Sequence, residues 1–274
     1  MPYLSSGLLV TFVYNNCTMT TICSIASLIL FEDAALLVLN KPAGLAVHGD
    51  ARQSHSETTI SLAKEYLEKT QPALFTQEEF SPSFMHRLDK ETSGVLVLAK
   101  TRIALQSLNR QLKFKKIHKT YLALVKGEPK ETGSIRLRLS KQFNRKRWKE
   151  LMVVDKEQGM HAQTDYRIKE KIVYSLGKFT LIEATPLTGR MHQLRAHFSA
   201  IQHPIVGDIL YGDLVTNKHF AEKFSLTRQC LHCSRLRFLH PITQSEIELD
   251  APCPPELESL LDVLRAPSAP TSTK

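Results

Sequence analysis

The 274-residue sequence predicts an α+β fold with a mixed or antiparallel sheet. Apolar segments of strand length outnumber segments with helical spacing, and the two kinds do not alternate strictly along the chain. Strict alternation would have indicated a parallel, doubly wound sheet. The composition, 42% hydrophobic and 23% charged, is that of a globular chain, and it excludes a largely disordered or polytopic membrane protein.

The strands are predicted from short apolar runs that turn residues separate. The first run stops before Pro42, because proline lacks the amide that a central strand needs. In chain order the runs lie at 36–39, 95–99, 121–125, 180–184, 236–238 and 247–249.

Four segments repeat apolar residues at helical spacing, which predicts helices with one buried face. In chain order they cover residues 60–67, 105–112, 194–201 and 257–264. The last helix carries Pro255 near its first turn, where proline is tolerated.

We expect a poorly defined N-terminal extension (1–27), one globular domain (28–265) and a disordered tail (266–274). Residues 1–31 contain no charged side chain, but they lack the basic start of a signal peptide. Polar residues also interrupt the apolar run, so a membrane anchor is not predicted. Met19 is a second candidate for the start of the chain.

Five cysteines do not make a disulfide framework in a chain of this length. Cys230 and Cys233 have C-x-x-C spacing, but no second ligand pair stands at a suitable distance for zinc. We expect both to be small core residues of a strand.

Lys and Arg exceed Asp and Glu by 36 to 27, which gives a net charge of +9. The excess is concentrated in two stretches without acidic residues, Lys100 to Lys126 and Arg136 to Lys149. Because a solvated helix face normally mixes both signs, these stretches predict phosphate contacts with nucleic acid. An anionic membrane is the alternative, but we expect no exposed apolar face on the basic helix.

A polar segment, residues 85–94 (MHRLDKETSG), leads into the predicted strand 95–99. Loops that a rigid strand positions often carry catalytic groups, so Asp89 is a candidate catalytic carboxylate. The residues alone also fit a structural interpretation, in which Asp89 caps a turn that the T-S-G sequence completes.

A second cluster, residues 186–197 (PLTGRMHQLRAH), leaves a predicted strand and enters a helix. The start of a helix with Arg190 and Arg195 nearby suits an anion. His192 and Arg195 lie three residues apart and so share one helix face. Arg195 lies at the edge of the core and needs a carboxylate partner, for which Asp89 is a candidate.

The sequence His86-Arg87-Leu88-Asp89 with the following T-S-G resembles the signature of pseudouridine synthases of the large-ribosomal-RNA type. The resemblance covers residues 28–265, which it identifies as the catalytic domain. Many members carry an S4 RNA-binding domain at the N-terminus, and we expect none of full length here. Further resembling motifs follow in the family's order at 39–44, 47–49, 119–127, 188–197, 203–212 and 231–252.

Pseudouridine synthases detach uracil from ribose, turn it and rejoin it through C5. The resemblance implies Asp89 as the catalytic carboxylate, acting either as a nucleophile at the sugar or as a base in a glycal route. Arg195 would favour its ionised form. Tyr121 matches the family's active-site tyrosine, which would stack on the base and assist proton removal at C5.

The resemblance also implies a set of substrate-binding residues, of which Arg87 would help hold the nucleotide out of its stack. No metal ion or organic cofactor is implied. The substrate-binding set is His86, Arg87, Gly189, Arg190 and His192.

We therefore predict a monomeric, cytoplasmic RNA pseudouridine synthase whose partner is RNA, with 23S ribosomal RNA as its target and with neither membrane nor metal involved. A tRNA uridine is the alternative target. A non-catalytic RNA-binding or ribosome-assembly factor and a metal-dependent nuclease are the alternative functions.

Overall fold

The structure is a computed structural model that describes residues 25–49, 57–75, 80–145 and 148–266. The chain divides into two compact units. The first runs to Ile117 and includes Arg237–Pro252, and the second consists of His118–Leu236 and the residues from Cys253 onward. The predicted tail lies outside the described residues apart from Ala266, as does most of the predicted N-terminal extension.

Strands and helices are numbered in chain order. The described strands are β1 (Ile29–Glu32), β2 (Leu36–Lys41), β3 (Ser83–Phe84), β4 (Ser93–Ala99), β5 (His118–Lys126), β6 (Thr132–Asn144), β7 (Lys149–Val154), β8 (Met160–Tyr174), β9 (Gly177–Pro186), β10 (Leu231–Leu239) and β11 (Glu246–Asp250). The described α-helices are α1 (Thr59–Thr70), α2 (Arg102–Lys113), α3 (Gln193–Ala200), α4 (Leu214–Phe224) and α5 (Pro255–Arg265).

In the first unit, β2 and β4 pair antiparallel, with Leu36 opposite Ala99 and Lys41 opposite Gly94. Every residue of β4 is buried, as are all but one residue of β2, which explains why both read as unbroken apolar runs. β1 extends this sheet beside β2, and β3 pairs with β4. The register places the end of β2 beside the start of β4, where the 85–94 loop arrives.

The second unit is built on an antiparallel series in which β9 lies between β5 and β8, and β6 lies between β8 and β7. Helix α5 packs on this sheet through its leucines, as the sequence predicts. A core of Leu124, Phe179, Phe220 and Leu261 joins it to the sheet. A smaller cluster that includes Leu139, Met152 and Ala196 joins α3 to the β6–β8 strands.

The predicted strands and helices are confirmed, whereas β1, β3, β6, β7, β8 and α4 were not predicted. In β6, exposed arginines alternate with buried or half-buried apolar residues, which is the pattern of a half-buried strand, but the sequence analysis used this segment only for its charge. Cys230 and Cys233 are buried core residues, as expected. Burial raises the pKa of the Cys230 thiol to about 12.

Two features are absent from the part of the chain that the structure describes. No helix there is long and apolar enough to cross a membrane. Nor do three His, Cys, Asp or Glu side chains come together there in a way that could hold a metal ion.

Candidate active site

The first unit carries Asp89 in the turn between β3 and β4. Leu88 is buried and anchors the turn, while Asp89 is half-buried. The amide of Thr92 donates to the backbone carbonyl of Asp89 at 3.0 Å, so the turn is closed through the main chain of Asp89. The loop is therefore rigidly joined to a fully buried strand, which is the setting expected for a catalytic group.

Lys41 anchors this turn from β2. Its side chain is fully buried, and its ammonium donates to the carbonyls of Pro42 (2.7 Å), Leu45 (2.8 Å) and Lys90 (3.1 Å). The amide of Gly44 also donates to the carbonyl of Lys90, at 2.9 Å. The main chain next to Asp89 is thus held by the segment that follows β2.

Lys41→Met is expected to lower the free energy of unfolding by about 3 kcal/mol, because it leaves buried carbonyls without their charged donor. Urea unfolding of both proteins measures this loss. Lys69→Met is the matched control, since Lys69 is exposed and pairs with Glu65 on the same helix; it should change stability by less than about 0.5 kcal/mol. A Lys41→Met protein as stable as the wild type would contradict the anchoring role.

Two other predicted residues lie in the same loop. The ring Nε2 of His86 accepts a long hydrogen bond, 3.4 Å, from the amide of Val97, which ties this histidine to β4. Arg87 is exposed. Partial burial, followed by the positive charges of Arg87 and Lys64, lowers the pKa of His48 in the same unit.

The second unit carries the remaining predicted residues. Tyr121 lies in the middle of the sheet on β5, opposite Ala184 of β9, and only 8% of it is exposed. A side chain packed this way has few rotamers available, so its hydroxyl is held in a defined place.

Arg195 lies in the first turn of α3 and is 5% exposed. Its Nε and Nη2 donate to the two carboxylate oxygens of Asp208, at 2.6 and 2.9 Å. The two-point geometry fixes the plane of the guanidinium as well as its position. The sequence analysis named only Asp89 as a carboxylate for Arg195, whereas the structure supplies Asp208; pairing with Asp89 stays a prediction.

The main chain around Asp208 explains why the carboxylate is so well placed. Gly207 has a φ of +79°, and a Cβ there would overlap the carbonyl oxygen of Arg228, so only glycine fits. Asn217 accepts from the amide of Gly207 and donates to the carbonyl of Asp208, both at 2.8 Å. Asp208 is fully buried.

The loop that carries Gly189, Arg190 and His192 is held by Gln193, which is 4% exposed. The Gln193 Oε1 accepts from the Thr188 hydroxyl (2.7 Å) and the Arg190 amide (3.0 Å). The space beside the Cα of Gly189 is open, with no atom within 4 Å of a Cβ placed there. The loop therefore has a fixed backbone and an uncovered outer side, as a substrate-binding segment requires.

The structure thus brings His86, Arg87 and Asp89 together in one unit, and Gly189, Arg190, His192 and Arg195 together in the other. Sequence reasoning missed the residues that hold these groups in place. The sequence indicated these residues only by their positions within the resembling motifs at 39–44, 188–197 and 203–212. The residues are Lys41, Gln193, Asp208 and Tyr211.

Comparison with known proteins places the chain in a family. Residues 35–200 match the model of the family described as RNA pseudouridylate synthase. The chain is 40% identical over 241 residues to ribosomal large subunit pseudouridine synthase C of Pasteurella multocida, a match that covers 86% of this chain and 68% of that protein. The Escherichia coli K12 protein of the same name is 36% identical over 246 residues, covering 89% and 72%.

Two human proteins of solved structure have the same fold, which confirms the predicted α+β class. Human RNA pseudouridylate synthase domain containing 4 has a TM-score of 0.67 at 25% identity, over 88% of this chain and 94% of that one. Human RNA pseudouridylate synthase domain containing 1 has a TM-score of 0.63 at 27% identity, over 87% and 94%. The family match, the identity to its members and the shared fold agree, and the chain belongs to the RNA pseudouridylate synthases, the isomerases that convert uridine in RNA to pseudouridine.

Proposed function

We propose that this enzyme isomerises specific uridines of large-subunit ribosomal RNA. The observation that carries this target is the 36–40% identity to proteins named ribosomal large subunit pseudouridine synthase C, over 86–89% of the chain. A cytoplasmic location, a monomeric state and the absence of a cofactor stay predictions.

We propose that Asp89 supplies the carboxylate that attacks the sugar or removes its proton, and that Arg195 favours the ionised carboxylate. Tyr121 stacks on the detached uracil and assists removal of the C5 proton. These roles rest on the motif matches, and the rigid setting of each side chain supports them. The substrate-binding set is His86, Arg87, Gly189, Arg190 and His192.

The prediction that the two basic stretches contact RNA needs correction at three lysines. Lys100 is 1% exposed and its ammonium is bound by Glu32 at 2.6 Å, so it is a core residue and not a phosphate ligand. Lys126 pairs with Asp213 at 2.9 Å. Lys119 is half-buried, and burial lowers the pKa of its ammonium. The charges of Lys100 and Lys126 thus pair with acids of their own units.

The exposed remainder of the first stretch lies on α2 and the turn after it: Arg102, Arg110, Lys113, Lys115 and Lys116. Contrary to expectation, Ile103 and Phe114 are also exposed there. We propose that this face follows the RNA backbone, because it combines five exposed basic side chains with an exposed aromatic ring.

The β6–β7 hairpin supports a second RNA contact. Phe143 and Trp148 are 46% and 70% exposed and form an edge-to-face pair with ring centroids 5.2 Å apart. Exposed Arg136 and Lys149 lie on the same two strands. Exposed aromatic rings next to basic side chains are typical of sites for unpaired nucleotides.

RNA affinity should fall steeply as salt rises, and replacing Lys113, Lys115 and Lys116 by Gln should flatten that dependence. Loss of three phosphate contacts would reduce the slope of log affinity against log salt by about 2. Titration of labelled ribosomal RNA fragments at several salt concentrations measures the slope.

The matched control replaces Lys69, Lys169 and Lys218 by Gln. These lysines are equally exposed but lie outside both acid-free stretches. The control should keep the wild-type slope. Equal slopes for the two triple variants would place the RNA elsewhere on the protein.

The target is tested by mapping pseudouridines in total RNA from cells with and without the protein. Loss of sites in large-subunit ribosomal RNA supports the proposal, and loss only in tRNA replaces it with the alternative target. Purified protein that binds ribosomal RNA but modifies no RNA would favour the ribosome-assembly alternative.

A further inference from the structure

Tyr211 contacts Arg195 of α3 and His192, the residue just before α3, both of which the proposed function uses. It is half-buried and lies in the turn after Asp208, whose carboxylate accepts from the Tyr211 amide at 3.0 Å. The same carboxylate holds Arg195. Neither the sequence analysis nor the comparisons give Tyr211 a role.

The guanidinium of Arg195 lies over the ring of Tyr211, with Cζ 5.1 Å from the ring centroid. Asp208 already holds that guanidinium through two hydrogen bonds. The ring attracts the positive charge while the carboxylate binds two of its nitrogen atoms, so ring and carboxylate together restrict the direction of the remaining N–H bonds.

The hydroxyl of Tyr211 serves a different neighbour. It accepts from the amide of Met152 at 2.7 Å and lies 3.0 Å from Nδ1 of His192. Because the Met152 amide can only donate, it does not take the hydroxyl's own proton, which Tyr211 can donate to His192 Nδ1. This assignment puts the proton of a neutral His192 on Nε2.

The backbone of His192 shows why it needs such a support. It is the residue before α3 and has a φ of 49°, a left-handed conformation that is uncommon for residues other than glycine. It makes no side-chain cap to the helix. The contact with Tyr211, which is itself tied to β7 through Met152, holds this ring from outside the helix.

We propose that Tyr211 is a positioning residue with two separable actions: its ring orients Arg195, and its hydroxyl orients His192 as the Nε2–H tautomer. The inference rests on the proposed roles of Arg195 in the reaction and of His192 in substrate binding. The ring is thus expected to affect the turnover rate, and the hydroxyl the affinity for the RNA substrate.

Kinetics separate the two actions. Tyr211→Phe keeps the ring, so kcat should stay within about twofold, while KM should rise about 2- to 12-fold, the equivalent of one lost hydrogen bond. Tyr211→Leu removes the ring as well and should lower kcat by about 2- to 30-fold, the range of a cation–π contact. An unchanged kcat in a folded Tyr211→Leu protein would overturn the first action.

The second action is tested by combining Tyr211→Phe with His192→Ala. If the hydroxyl acts through His192, the double variant should have the KM of His192→Ala alone. If the double variant instead shows the product of the two single-variant increases in KM, the hydroxyl only supports the fold and the proposal is overturned.

A readout independent of activity is ¹⁵N NMR of histidine-labelled protein at about pH 8, where an ordinary histidine is neutral. The His192 signal is identified by its loss in His192→Gln. The wild type should show the Nε2–H tautomer, and Tyr211→Phe should shift it toward a mixture. An Nδ1–H signal in the wild type, or an unchanged signal in Tyr211→Phe, would overturn the proposal. This test does not depend on catalysis, so it holds even if the protein makes no pseudouridine. A wild-type protein without turnover would contradict only the proposed function.

Discussion

Asp89→Asn is expected to form no measurable pseudouridine, with a single-turnover rate below about 10⁻⁴ of the wild-type rate. The amide has nearly the shape of the carboxylate, but it cannot attack the sugar or accept its proton. The turn itself should persist, because it is closed through the backbone carbonyl of Asp89 and anchored by Lys41. RNA affinity should therefore stay within about threefold, roughly 0.6 kcal/mol.

The measurement is a single-turnover assay of pseudouridine formation beside a binding titration with the same RNA. Glu91→Gln is the matched control, since it removes the other acidic group of the 85–94 loop, and it should keep turnover within about twofold of the wild type. Clear residual turnover by purified Asp89→Asn would remove Asp89 from the catalytic role. Equal losses in both variants would indicate that the loop needs its negative charge rather than this carboxylate.

The elements that could be predicted from the sequence are those whose side chains are uniformly apolar or repeat at helical spacing. β2 and β4 are such strands, because both of their faces are buried. The β6–β8 strands were missed because their outward positions carry arginine, lysine and glutamate. In β6 the alternation of apolar and basic residues is typical of a half-buried strand, but it was interpreted only as charge, which predicted an RNA contact without the strand that carries it.

The same limit applies to the site. Loop residues such as Asp89 and Arg190 were visible because the resembling motifs are continuous in the chain. Asp208 lies 13 residues from Arg195, and Lys41 reaches a carbonyl 49 residues away, so only the folded chain shows what holds the site in place. Lys100 is the opposite case. Its charge was counted as a surface feature from the sequence, but in the structure its ammonium is buried and paired with Glu32.

Tyr121→Phe is expected to slow the reaction by about 10²–10⁴-fold while RNA affinity changes little. The phenyl ring keeps the stacking surface, and its place between strand neighbours in the sheet is unchanged, so only the hydroxyl is lost. If that hydroxyl assists removal of the C5 proton, uracil can still be detached and rejoined while the final product fails to form. Single-turnover rates and RNA affinities of the wild type and the variant measure the two effects separately.

Tyr121→Ala provides the second comparison, because it removes the ring as well. It should be slower still and should also bind RNA more weakly, by up to about 1–3 kcal/mol of base stacking. Tyr121 is 8% exposed, so the alanine variant also leaves a cavity, and its unfolding free energy must be measured beside its affinity. A Tyr121→Phe enzyme as fast as the wild type would reduce Tyr121 to a packing residue of β5, and the group that receives the C5 proton would then have to be sought elsewhere in the site.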